Sequence, residues 1–88
     1  MRVRIASPEN GLRVLRDPET PIAEATVALK AVVSPSAREV VWWVDGAPFA
    51  TVPWPYSVRW KITPGAHTFV ARLPFTKLAS SPVSIRVE

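Results

Sequence analysis

Residues Tyr56–Leu73 read YSVRWKITPGAHTFVARL. Tyr56, Val58, Trp60 and Ile62 alternate with Ser57, Arg59 and Lys61. That period of two puts apolar side chains on one face of an extended strand and polar ones on the other. Pro64-Gly65 breaks the run, and His67, Phe69, Ala71 and Leu73 then share a face of a following strand. The dipeptide predicts a hairpin between the two strands, with glycine accepting φ > 0.

Working outward, Glu39–Asp45 is rich in β-branched and aromatic residues and ends in Asp45-Gly46, the residue pair favoured in a two-residue hairpin turn. Pro48–Val52 is the expected return strand, and Pro53-Trp54-Pro55 stiffens the connection that follows. Val83, Ile85 and Val87 alternate with Ser84, Arg86 and Glu88 in a last strand. Toward the N-terminus, Arg2–Ala6 alternates basic and apolar residues, Ser7–Gly11 is a turn cluster, and Leu12–Leu15 is a short strand. Asp17-Pro18-Glu19-Thr20-Pro21 reads as an extended loop. Ala25–Val33 fits two patterns. Ile22, Ala25, Leu29 and Val32 form a helical stripe, whereas Ala25, Val27, Leu29, Ala31 and Val33 alternate as a strand. Pro21, Pro35 and the strand-rich neighbourhood favour the strand. About seven short strands with frequent turns predict an all-β, immunoglobulin-like antiparallel sandwich over residues 1–88 as one domain.

Composition narrows the chemistry. The chain has 88 residues, no cysteine and one histidine, which excludes a disulfide framework, a thiolate metal site and a cysteine nucleophile. Three scattered glycines (Gly11, Gly46, Gly65) make no phosphate-binding loop. Ser-x-x-Lys, Ser-Asp-Asn and Lys-Thr-Gly do not occur, so serine acylation of the β-lactam type is not encoded. His67 opens a strand after a turn, which suits a structural hydrogen bond near a sheet edge. Asp17 and Glu19 read as solvated, since a raised-pKa acid needs burial or a close partner. No catalytic residue, metal or cofactor is therefore expected. The opening Met1-Arg2-Val3-Arg4-Ile5 lacks a signal-length apolar run, and the run Val40–Val44 is far too short to span a bilayer.

Charge divides unevenly. Up to Asp45, six basic residues (Arg2, Arg4, Arg13, Arg16, Lys30, Arg38) meet six acidic ones (Glu9, Asp17, Glu19, Glu24, Glu39, Asp45). From Gly46 on, Arg59, Lys61, Arg72, Lys77 and Arg86 face Glu88 alone, so the net +4 resides in the second half. Basic residues spaced singly among apolar ones read as a solvated sheet face. Without an accompanying recognition motif, nucleic acid is not an expected partner.

The tryptophans carry the binding expectation. Trp42 and Trp43 must point to opposite faces of their strand. With Val40, Trp42 and Val44 inward, Trp43 points out; the opposite register gives a weaker inner face. Trp60 belongs to the core beside Val58 and Ile62. Trp43, Trp54 and Tyr56, rimmed by Arg59 and Lys61, form the candidate binding patch, an aromatic centre with a polar edge.

The order of short motifs has a further meaning. Ile5–Gly11 (IASPENG), Arg16–Pro21 (RDPETP), Val27–Ala31 (VALKA), Val41–Gly46 (VWWVDG) and Pro64–Phe69 (PGAHTF) together resemble the C-terminal domain of the penicillin-binding protein 1C family, bifunctional peptidoglycan synthases. Val44-Asp45-Gly46, Pro55–Trp60 and Gly65–Phe69 also look like bacterial Ig-like modules of glycosidases and adhesins. Those modules often have Asp-x-x-Gly-Asn where this chain has Pro74–Leu78 (PFTKL), and this departure favours the first likeness. The resemblance implies a non-catalytic accessory or interaction domain, periplasmic, within a membrane-anchored parent. The parent's glycosyltransferase and transpeptidase domains lie outside these residues, and no family catalytic residue maps onto them. It implies as partners peptidoglycan glycan, a periplasmic protein of the α2-macroglobulin-like kind, or the parent's transpeptidase domain. The alternative is a carbohydrate-binding Ig-like module of a secreted glycosidase or adhesin. A monomer that does not insert in the membrane is expected.

Overall fold

The computed structural model describes residues 2–15, 19 and 25–88. Its strands are β1 (Arg2–Ser7), β2 (Leu12–Val14), β3 (Thr26–Ser34), β4 (Glu39–Val44), β5 (Ala47–Pro53), β6 (Val58–Lys61), β7 (Gly65–Arg72) and β8 (Val83–Val87). They form a three-stranded sheet, β1-β3-β6, and a five-stranded sheet, β2-β8-β7-β4-β5. This is the expected all-β sandwich, with eight strands among the described residues. The ambiguous stretch Ala25–Val33 resolves as strand from Thr26 onward, with Val27, Leu29, Ala31 and Val33 buried or half-buried toward the other sheet. The loop 17–21 and Ile22 lie outside the described residues, except for Glu19, which is exposed.

Alternation packs the two inner faces together. Leu29, Ala31 and Val33 of β3 and Trp60 of β6 supply one side; Val40 and Trp42 of β4, Phe69 and Ala71 of β7, and Ile85 and Val87 of β8 supply the other. Trp42, Phe69, Leu29 and Val40 are the largest side chains fully withdrawn from solvent. Each such burial contributes about 1.5–3 kcal/mol before the entropy of ordering the chain is subtracted. Trp60 packs edge-on to Phe69, with ring centroids 5.2 Å apart.

Three expectations need correction. Pro64-Gly65 does not close a hairpin: β6 and β7 belong to different sheets, so the turn carries the chain across the sandwich, with Gly65 at φ 110°. Alternation states which face of a strand is apolar, and both sheets satisfy it equally. His67 consequently lies on β7, a central strand, and not near a sheet edge. Thirdly, one pair breaks the antiparallel pattern, since β2 runs parallel to β8. Gly11 N–H donates to Ser84 C=O (2.7 Å) and Ser84 N–H to Asn10 Oδ1 (2.9 Å), fixing the turn that leads into β2.

The hairpin at Asp45-Gly46 is as expected. Both residues have positive φ, 52° and 82°, the conformation that matches the twist of flanking strands. Glycine takes it freely and aspartate tolerates it.

Candidate functional site

The five residues of the expected patch do not assemble. Tyr56 is core, 2% exposed. Its hydroxyl accepts the Ala37 N–H at 2.8 Å and donates to the Ala37 carbonyl, while its own carbonyl accepts the Trp42 indole N–H at 3.0 Å. Arg59 and Lys61 project from β6, which pairs only with β3, so they sit on the outer face of the small sheet. Trp43 lies on the outer face of the large one. Trp54 is 72% exposed but follows β5 at the end that pairs with Glu39, whereas Trp43 pairs with Pro48 near the opposite end. Four residues of strand, about 13 Å, separate these levels.

What does gather around Trp43 is different. Val41 pairs with Arg72 and Trp43 with Val70, which makes Arg72 the diagonal neighbour of Trp43 on the same face. The guanidinium carbon lies 6.0 Å from the indole centroid, a cation–π distance. Trp43 is thereby half-buried and not freely exposed. Its Nε1 is buried and has no hydrogen-bond partner among the described residues. Leaving such a donor unmet costs about 1–3 kcal/mol.

The segment after β7 completes the wall. Ser80 is buried and locks it back on the strand: Ser80 N–H donates to Ala71 C=O (2.7 Å) and Ala71 N–H to Ser80 Oγ (3.0 Å). Inside the loop, Leu73 N–H donates to Leu78 C=O, Thr76 Oγ1 to Leu73 C=O, and Leu78 N–H to Thr76 Oγ1. Arg72 Nε donates to Thr76 C=O at 3.1 Å. These bonds hold Phe75, fully exposed and at φ 60°, in place. An open groove of about 580 Å³ results, lined by Val41, Trp43 and residues Arg72–Lys77. It offers aromatic surface and two cations, and among the described residues no carboxylate lines it. Such a set suits a ligand rich in acceptors or negative charge. The composition of Pro74–Leu78 is visible in the sequence; its place in the same groove as Trp43 depends on the return at Ser80, which periodicity does not reveal.

A second cluster needs a chemical reading. His67 Nδ1 is 2.7 Å from Asp45 Oδ2, and its Nε2 is 3.0 Å from Thr63 Oγ1 and 2.9 Å from the Thr63 carbonyl oxygen. A hydroxyl, imidazole and carboxylate in line have the outline of a catalytic triad. Protonation argues otherwise. A carbonyl only accepts, so Nε2 carries a proton for Thr63, and Nδ1 carries one for the carboxylate. Burial disfavours the charged imidazole, but the Asp45 hydrogen bond, the Thr63 carbonyl and the Asp45 charge outweigh it and raise its pKa above the ordinary 6.5. Burial likewise disfavours the Asp45 carboxylate, yet bonds from His67 and the Thr68 N–H hold it below 3.8. In the charged form that these partners favour, both nitrogens donate and no lone pair remains to take the Thr63 proton. The cluster is a structural clasp, the role expected of His67.

The sequence model described as the Penicillin-Binding Protein C-terminus Family matches residues 1–71. A search of curated proteins found no match. Among solved structures, the chain is similar to one described as "Structures of Clostridium thermocellum CbhA fibronectin(III)-like modules". The TM-score is 0.67 and the identity 21%, over 97% of this chain and 92% of that one. At that identity the likeness concerns the sandwich fold.

Proposed function

Since the chain belongs to the penicillin-binding protein C-terminus family, we propose that it serves as the non-catalytic accessory domain of a periplasmic, membrane-anchored peptidoglycan synthase. In this reading it engages peptidoglycan through the Trp43 groove. The observation that supports it is the pairing of an aromatic wall, Trp43 and Phe75, with Arg72 and Lys77 in one open groove. Phe75, fully exposed, offers a stacking face for a sugar ring, and the two cations suit the carboxylates of stem peptides. Catalysis belongs to other parts of the parent in this reading, since among the described residues no nucleophile has an activating base beside it and the histidine is held in the clasp. An accessory module of a glycosidase shares the fold but has no family match behind it.

Co-sedimentation of the domain with purified, insoluble peptidoglycan tests this. Trp43→Ala and Arg72→Gln are each expected to reduce the bound fraction while remaining folded at the assay temperature. Wild-type binding by both variants would exclude the groove, and loss of binding to a soluble partner protein alone would move the contact from wall to protein.

A further inference from the structure

The outer face of the small sheet carries a regular array of cations, on the side of the sandwich opposite the Trp43 groove. The outward positions of β3 are Thr26, Ala28, Lys30, Val32 and Ser34, since Val27, Leu29, Ala31 and Val33 turn inward. Register assigns one basic residue to each outward level. Arg2 pairs with Ser34 and Arg4 with Val32; Lys30 occupies its own level; Arg59 pairs with Ala28 and Lys61 with Thr26. Directly paired residues share a face, and all five cations are exposed. β1 flanks one half of β3 and β6 the other half on its opposite side. The charges therefore follow one another along β3 in single file, stepping across it by roughly one strand spacing, about 4.8 Å, to either side. Successive levels are two residues apart, about 6.7 Å, so the file extends about 27 Å.

Among the described residues none of the five takes part in an ion pair. Arg59 Nη1 donates to Thr26 Oγ1 at 3.0 Å, which fixes one head group over the strand. The sequence separates these residues by up to 59 positions; only the topology aligns them. Five like charges this close repel one another, and a counter-charge with matching linear spacing relieves that repulsion.

We propose that this face binds an extended, linear acidic polysaccharide laid along β3. The single file matches a one-dimensional polyanion, whereas a lipid surface would be matched by cations spread over the breadth of the face. The outward positions of β1, β3 and β6 hold no aromatic residue, so a nucleic-acid strand would find nothing on which to stack its bases, and a protein partner would find no large anchor. This site is independent of the Trp43 groove and does not require it.

Affinity electrophoresis through polygalacturonate, with the chain as it stands, tests the proposal. Arg4→Gln/Arg59→Gln is compared with Arg38→Gln/Arg86→Gln, which removes the same charge from exposed positions elsewhere. The first pair is expected to weaken binding about tenfold at low salt and to flatten the salt dependence by about 1.5 units of log–log slope, while the second pair stays near wild type. Arg2→Gln/Lys30→Gln repeats the test should the loss of the Arg59–Thr26 bond lower the melting temperature. Equal losses in face and control pairs would mean that net charge alone acts, and would overturn the proposal. So would tighter binding to oligo-dT or to phosphatidylglycerol vesicles than to polygalacturonate, or no binding to it.

Discussion

His67 Nδ1 and Asp45 Oδ2 stand 2.7 Å apart, so the turn of the β4–β5 hairpin is fastened to the first residues of β7. The same imidazole reaches Thr63 in the crossover and packs edge-on to Trp60 at 4.7 Å. One side chain thus ties a hairpin tip, an inter-sheet crossing and the core.

Stability should depend on pH through this clasp. His67 is raised above its ordinary 6.5, so its contribution is fully present below that value and is lost as pH rises through the raised folded value. Asp45 is lowered, so its contribution holds above 3.8 and is lost as pH falls through the depressed value. The clasp is therefore strongest between about pH 4 and 6.5. Urea denaturation should give a lower midpoint at alkaline pH than inside this window, and His67→Gln should remove that alkaline decline. A His67→Gln profile parallel to wild type would place the pH dependence elsewhere.

The two faces of β4 and β6 should respond unequally to truncation. Trp60, 7% exposed, loses its packing on Phe69 and His67 when cut to alanine, at a cost of about 3–5 kcal/mol. Total stability for a domain is about 5–15 kcal/mol, and this small one is expected at the lower end. Trp43→Ala leaves the core intact and removes an unmet donor, so it should cost less than half as much. Chemical denaturation of both variants compares them directly, and equal losses would contradict the outward placement of Trp43.

Tyr56→Phe isolates a hydrogen bond from packing. The ring stays in the core, but the Ala37 N–H and C=O lose their partner. A loss of about 1–2 kcal/mol is expected. Hydrogen exchange at the Ala37 amide should accelerate in the variant; unchanged protection would show that the hydroxyl does not hold this segment.

Gly46→Ala should destabilise the hairpin by about 1 kcal/mol, because φ of 82° is strained for any residue with a Cβ. Nothing crowds the position, so the penalty is backbone strain alone and Gly46→Asn should recover part of it. A full loss with asparagine would point to a steric cause.

Much of this architecture was legible because β-structure writes itself in a period of two. Glu39–Asp45 followed by Gly46 announced its hairpin, and placing Trp42 inward followed from its neighbours Val40 and Val44. The limits have one physical origin. Periodicity reports which face of a strand is buried, but not which sheet the strand joins. Arg59 and Lys61 were consequently placed beside Trp43, although a whole sandwich lies between them. Tyr56 shows a related limit. Its alternation marks it as core, while its place after Trp54 suggests an extension of the aromatic patch; the backbone of Ala37 that satisfies its hydroxyl lies nineteen positions earlier. The groove around Trp43 depends on Ser80 folding the Pro74–Leu78 loop back along β7, a contact set by tertiary structure.

The parallel pairing of β2 with β8 sets a schedule for synthesis. Leu12, Arg13 and Val14 find their partners Ile85, Arg86 and Val87 only among the last strand's residues, and Arg13 meets Glu88 itself at 2.6 Å. As the chain emerges N-terminus first, β4, β5 and β7 are able to pair while β2 still has no neighbour. Until residue 87 emerges, the β7 edge that β8 will occupy remains open to strands of other nascent chains. Closure over so long a loop comes late and slowly. Removing Val83–Val87 would strip one strand and orphan a second, replacing the short β2 edge of the finished sheet with the longer, eight-residue edge of β7.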